Sequence, residues 1–232
     1  MKKLSLLVAG IVLSITVSAQ KDSLVTKKDR KKDVLLETSS GAIIIRLSDS
    51  TPLHRDNFLK LVKVGFYDSL LFHRVIKNFM IQGGDPDSKN ARPGMQLGSG
   101  DLGYKIPSEF RPSLFHKRGV IAAARDNNPE KASSASQFYL TQGKVFTDAG
   151  LDSVEINRLE GRKIPSVYRE IYKTTGGTPQ LDQNYTVFGE VVKGMEVVDK
   201  IAAVSTSKRR DKDRPLEDVR ILKATLIKRR NK

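Results

Sequence analysis

The sequence predicts an all-β domain, a barrel or a sandwich, with short helices at its margins. Three observations carry this. VLLET (34–38) and AIIIRL (42–47) flank a Ser39-Ser40-Gly41 turn and read as a β-hairpin. Short apolar runs recur at 70–76, 79–82, 119–124, 137–142 and 185–192, each bounded by turn residues. A last run, DVRILKATLI (218–227), closes the pattern. With 232 residues, 38% hydrophobic and 29% charged, the chain has an ordinary globular balance and enough length for a sizeable core.

Taken in order, the first nineteen residues stand apart from the fold. Lys2 and Lys3 precede an almost unbroken apolar run from Leu4 to Val17, and Val17-Ser18-Ala19 offers small residues for cleavage. This predicts a secretory signal peptide over 1–19, a periplasmic or secreted protein, and no stable membrane insertion after cleavage. Residues 20–33 are charge-dense and predict a flexible linker, with the folded domain running over 34–232. After the hairpin, Thr51 is placed as an N-cap and Pro52 in the first turn of a helix. Phe58, Leu61 and Val62 share one face of that helix, and Gly65 can end it. A further short helix is expected over 195–202 (MEVVDKIA).

Residues 143–180 break the strand rhythm. Ile164, Val167, Tyr168 and Ile171 have the i, i+3, i+4, i+7 spacing of a helix face, and a weaker helical pattern covers 150–160. A helical insertion is the expectation, because so long a structureless loop is rare in a compact domain.

Composition excludes several chemistries. Without cysteine there is no disulfide scaffold, thiolate nucleophile or zinc finger. The three histidines, His54, His73 and His116, form no close-spaced metal pair, and no metal or cofactor is expected. Gly98-Ser99-Gly100-Asp101-Leu102-Gly103 matches G-x-G-x-x-G, but neither flank supplies the required strand or helix, so these glycines read as a mobile surface loop. No G-x-S-x-G elbow is present, and no Ser/His/Asp arrangement stands out. The net charge is +15, or +13 without the two signal lysines (39 Lys+Arg against 26 Asp+Glu). Lys208-Arg209-Arg210 and Lys228-Arg229-Arg230 raise the question of nucleic acid, but no aromatics interleave with them, and a solvated basic surface is expected instead.

The informative stretch is LLFHRVIKNFMIQGGDP (70–86), two apolar strands around a Lys77-Asn78 turn. An arginine fork among Phe72, Phe79 and Met80 is costly unless it serves a purpose. From the residues alone, Arg74 could equally snorkel on a barrel exterior.

Phe72-His73-Arg74-Val75, followed by Phe79-Met80-Ile81-Gln82-Gly83-Gly84-Asp85, resembles the signature of the cyclophilins, the peptidyl-prolyl cis-trans isomerases. GSGDLGYKIPSEF (98–110), GVIAAAR (119–125), SQFYL (136–140) and LDQNYTVFGEVVKGMEVVDKI (181–201) resemble later family segments in the same order. The resemblance implies a closed eight-stranded antiparallel β-barrel capped by two helices, with the active groove on its outer surface. It implies Arg74 as the catalytic arginine. Phe79, Met80, Tyr139 and Leu181 correspond to the apolar pocket for the substrate proline, and Gln82 and Gln137 to polar groups lining the groove. Ala124 and Arg125 correspond to the pair whose backbone meets the substrate, and His73 to a groove-side histidine. Tyr185 stands where the family has a pocket histidine, and Gln180 where many members carry a tryptophan tied to cyclosporin binding. The implied function is isomerisation of X-Pro bonds in exported or periplasmic proteins by a monomer that assists folding, with proline-containing polypeptides as partners. The competing readings are a non-catalytic proline-peptide-binding or chaperone module on the same barrel, and a basic binder of anionic surfaces.

Overall fold

Strand alternation organises this protein. In the computed structural model, which describes residues 25–207 and 213–229, the elements follow in chain order. They are β1 (Lys32–Thr38), β2 (Gly41–Leu47), α1 (Pro52–Lys63), β3 (Arg74–Ile76), β4 (Met80–Gly83), β5 (Lys105–Ile106), β6 (Val120–Ala123) and β7 (Ser133–Ser134). After them come β8 (Phe138–Thr141), α2 (Asp148–Arg158), α3 (Ser166–Thr174), β9 (Val187–Lys193), α4 (Met195–Ala202) and β10 (Ile221–Lys228). The expected signal peptide and the 208–210 basic cluster lie outside the described residues.

Eight strands form one antiparallel sheet in the order β10-β1-β2-β9-β6-β8-β4-β3, while β5 and β7 form a separate two-stranded ladder. The large sheet curls but is not a closed barrel, which corrects the expectation from sequence. Its edges, β10 and β3, meet only through the single bridge Leu71–Arg220 and isolated bonds such as Phe72 N–H to Val219 O (2.8 Å). Ser69 takes a left-handed φ of 71° just before the seam, and its N–H donates to Ile221 O (2.8 Å).

The inner face buries Val34, Leu36, Ile43, Ile45, Val75, Ile81, Ile121 and Leu140 in one core. Two helices add their apolar faces to it: Phe58, Leu59, Leu61 and Val62 from α1, and Val198, Ile201 and Ala202 from α4. The described residues carry two α-helices besides these, four in all. The other two, α2 and α3, lie in the 143–180 segment and build a small core of their own from Phe115, Leu151, Leu159, Ile164 and Tyr172. α3 starts later than its spacing predicted: Pro165 is the N-cap, in extended backbone, so Ile164 falls outside the helix. Arg169 ties α3 to α2 through Asp148, Asp152 and the buried Glu155.

Two local expectations change. Thr51 is the N-cap of α1, yet its side chain makes no capping bond. Glu109 takes that role from 56 positions away, accepting Leu53 N–H (3.2 Å) and His54 N–H (3.0 Å). The charged segment read as linker is folded from about residue 26. Asp29 is buried and accepts from Lys32 (3.0 Å) and Lys63 (2.8 Å), and Asp33 holds the Arg46 fork at 3.0 and 2.9 Å.

Gly84, which follows β4, has φ 90°, and a Cβ there would lie 2.1 Å from Ser136 O. Gly84→Ala is therefore expected to cost on the order of 3 kcal/mol, from left-handed strain plus overpacking. Urea denaturation checks this, and an unchanged midpoint would refute the steric account.

Candidate active site

The two-residue period of the sheet places the candidate residues together. Arg74 on β3 pairs with Gln82 on β4, Gln82 with Tyr139 on β8, and Tyr139 with Ala122 on β6. These four form one row across four strands. Their chain neighbours Val75, Ile81, Leu140 and Ile121 form the matching row inside. The outward row and its flanks pack as a second apolar cluster, with Met80, Val120, Ala122, Ala124, Tyr139 and Val187 buried and Phe79, Leu181 and Tyr185 half-buried against them.

A cavity of about 150 Å³ opens on this cluster, lined by Arg74, Phe79, Met80, Gln82, Ala124, Arg125, Tyr139, Leu181 and Tyr185. All nine of these were named from sequence. Gln137 and His73 do not line it. Gln137 borders an adjoining cavity of about 350 Å³ with Gly98, Ser99, Gly100 and Asp101, and His73 borders a third of about 230 Å³ with Arg74, Gln82 and Leu97. Gln82 lines all three, so they adjoin one another around its side chain. A separate groove of about 330 Å³, lined by Arg46, Leu114, Phe115 and Lys117 among others, contains none of the sequence-identified site residues.

Arg74 is loosely held. Its Nη1 lies 3.5 Å from Gln82 Oε1 and its Nε 3.8 Å from Asp213 Oδ2, and its side chain stays 40% exposed. Most of its donors thus remain available to a ligand. The amides behind it are oriented. Gln137 Nε2 donates to Gly98 O (3.1 Å) and Gly100 O (3.0 Å), which turns its Oε1 toward Gln82 Nε2 (3.1 Å) and the Gln82 carbonyl toward Arg74. The glycine loop that sequence reading took as mobile is tied in by these bonds and by Gly98 N–H to the buried Asp85 carboxylate.

Arg125 contributes its side chain, which the sequence resemblance did not imply. Its guanidinium lies 4.8 Å over the Tyr185 ring and donates to Asn184 O (2.9 Å) and Asn184 Oδ1 (2.8 Å). On the far side of the pocket, Tyr139 Oη meets His116 Nε2 at 2.9 Å, and His116 Nδ1 meets Asp182 Oδ1 at 2.9 Å. Sequence reading missed His116, Asp182 and Asp213. His116 and Asp182 are 66 positions apart, and no local pattern links them.

Another hydrogen-bonded line, Ser133 Oγ–His54–Glu109, has the order of a hydrolase triad, with contacts of 2.9 and 2.7 Å. All three residues are buried, and the cavity beside His54 is only about 10 Å³. No substrate fits there. Burial lowers the His54 pKa despite Glu109, and the line serves as a tie between the α1 N-terminus and β7.

The comparisons agree with this geometry. The model of the family "Cyclophilin type peptidyl-prolyl cis-trans isomerase/CLD" matches residues 33–226. This chain belongs to that family. It is an enzyme of the cyclophilin type, a peptidyl-prolyl cis-trans isomerase. It is 34% identical over 197 residues to the Dictyostelium discoideum peptidyl-prolyl cis-trans isomerase cypE, covering 84% of this cyclophilin and 97% of that one. A Streptococcus pyogenes protein, whose description pairs a phosphatase with a peptidyl-prolyl cis-trans isomerase, is 36% identical over 190 residues, covering 80% of this chain. This chain spans only 37% of that longer protein. Among solved structures, a Cryptosporidium parvum cyclophilin type peptidyl-prolyl cis-trans isomerase has the same fold, with a TM-score of 0.60 at 23% identity, over 84% of this chain and 96% of that one. That parasite protein was also solved in the presence of the dipeptide Ala-Pro.

His73 beside Arg74 is 2% exposed, and neither ring nitrogen has a hydrogen-bond partner among the described residues. Its pKa is lowered from 6.5 to about 4, chiefly by burial, with Asp85 opposing and Arg74 and Arg214 adding to the fall. Between these values the unfolded chain binds the proton and the folded one does not. Stability is therefore expected to fall as pH drops from 6.5 toward 4, with His54 acting in the same direction. In thermal melts across that window, His73→Gln should show a shallower pH slope than wild type; an unchanged slope would count against a buried, uncharged His73.

Proposed function

We propose that the 150 Å³ cavity is the proline site and that Arg74 is its catalytic residue. The observation that carries this is the loosely held guanidinium beside an apolar pocket. Isomerisation needs no nucleophile, metal or general base. Its barrier, about 18–20 kcal/mol, comes from lost amide resonance as the C–N bond twists. In the twisted state the proline nitrogen becomes pyramidal and gains a lone pair. An arginine N–H aimed at that nitrogen stabilises the transition state and not the planar ground state. Phe79, Met80, Tyr139 and Leu181 hold the ring by apolar contact while the acyl side turns. Gln82 orients the guanidinium. Ala124 and Gln137 border the adjoining cavity, where the chain before the proline would lie, and Tyr185 under Arg125 closes the pocket edge.

Proline-containing polypeptides are the substrates on this reading. The parasite relative solved with Ala-Pro supports that class, as does a pocket sized for one small ring. We further propose that the protein is exported, because Lys2-Lys3, the apolar run 4–17 and Val17-Ser18-Ala19 have the order of a cleavable signal. It would then act as a monomer on X-Pro bonds of periplasmic or secreted proteins during folding.

The test is cis/trans exchange of an Ala-Pro-Phe peptide by NMR, with the mature protein and with Arg74→Ala. The wild type is expected to accelerate exchange, and the variant to lose about 10²–10³-fold, as when a transition-state donor is removed. A loss under about fivefold in a folded variant would remove Arg74 from the chemistry. Binding without acceleration by the wild type would favour a peptide-binding module.

A further inference from the structure

Four buried side chains run in a line from α3 to the pocket wall. Tyr172 Oη donates to Asp182 Oδ2 at 2.7 Å. Asp182 Oδ1 accepts from the His116 backbone N–H at 2.8 Å and from His116 Nδ1 at 2.9 Å. His116 Nε2 lies 2.9 Å from Tyr139 Oη. Tyr172 and His116 are fully buried, and Tyr139 and Asp182 are 4% and 6% exposed.

We infer that Tyr172 of α3 is a positioning residue for the prolyl pocket, fixing the Tyr139 ring through Asp182 and His116. The inference rests on the reading of the cavity as the proline site. The direction of the line follows from its donors. Three N–H or O–H groups converge on one carboxylate, which can only accept. An imidazole proton on Nδ1 therefore faces Asp182, and in the neutral ring Nε2 accepts from the Tyr139 hydroxyl. Burial pushes the Tyr139 and Tyr172 pKa values far up, with Asp182 adding to both, so each hydroxyl keeps the proton it donates. Tyr139 is then pinned at both ends, by β8 at its backbone and by His116 at its hydroxyl. His116 lies nearly parallel to the ring at 14°, and Tyr185 meets it edge-on at 80°.

The same clamp reaches a second lining residue, Leu181. Asp182 directly follows Leu181, and Arg162, in the link between α2 and α3, donates to Asp182 O at 2.6 Å. Two lining residues of the proline pocket are thus set from the helical segment. Nothing in that segment needs to touch the substrate for it to govern how well the ring is gripped.

A held ring is gripped alike in the ground and transition states, so loosening its wall should raise KM and leave kcat nearly alone. The experiment measures both for Ala-Pro-Phe exchange in wild type, Tyr172→Phe, Tyr139→Phe and the double variant, at a temperature where circular dichroism shows each folded. Tyr172→Phe is expected to raise KM about fivefold, the effect of one ordinary hydrogen bond, with kcat within about twofold. In the Tyr139→Phe background it should change KM no further. An unchanged KM in Tyr172→Phe, or an equal increment in both backgrounds, would overturn the inference and leave Tyr172 a purely structural residue. If Tyr172→Phe does not fold, Asp182→Asn takes its place in the same cycle with the same criteria. Failure of the pocket reading looks different: exchange would then be insensitive to Arg74→Ala as well as to Tyr139→Phe.

Discussion

The strand register governs this molecule. Because successive side chains point to opposite faces, each strand contributes to the inner core and the outer site in alternation. A one-residue slip of β4 against its neighbours would carry Gln82 and Met80 into the core and expose Ile81. The large apolar residues inside hold the register, and the register in turn holds Arg74, Gln82 and Tyr139 in one row. The site thus takes its precision from residues that never face it.

The charges show the same division of labour. Arg46 is gripped in a fork by a buried carboxylate, and Arg169 by three acidic residues. Arg74 has only a long contact to an amide and a distant carboxylate on the solvent side. Full pairing suits an arginine that fastens elements together. A guanidinium meant to meet a ligand must keep donors uncommitted, and the apolar surroundings then make each of those donors count for more than it would in water.

Local signals in the sequence were reliable guides. The first hairpin, α1 and α4 were legible because alternation, helical spacing and punctuation by Pro and Gly are written in adjacent residues. That residues of the 70–86 stretch belong to one pocket was suggested only by their resemblance to a family, since Arg74 on its own fits two environments. What was not legible depends on chain segments far apart. Glu109 replaces Thr51 as the working cap of α1 from 56 positions away, and the seam between β3 and β10 carries only the single bridge Leu71–Arg220. The His116–Asp182 contact joins a strand approach to a loop that only the folded sheet brings near. The guanidinium of Arg125 became part of the pocket through Asn184 and Tyr185, neither of which its own neighbours announce.

The helical segment leaves and rejoins the sheet at a single crossing. Lys144 and Lys117 both bridge to Gly177, and a Cβ on Gly143 would lie 2.4 Å from Gly177 Cα. Only paired glycines let two backbones pass so closely. The excursion is therefore modular in the engineer's sense: its two attachment points nearly touch, so a shorter or longer cassette could be spliced there without moving β8 or β9. The graft would not be silent, because the clamp on Asp182 would go with it. A lineage that varied this cassette could retune its grip on proline while leaving the arginine, the sheet and the chemistry untouched.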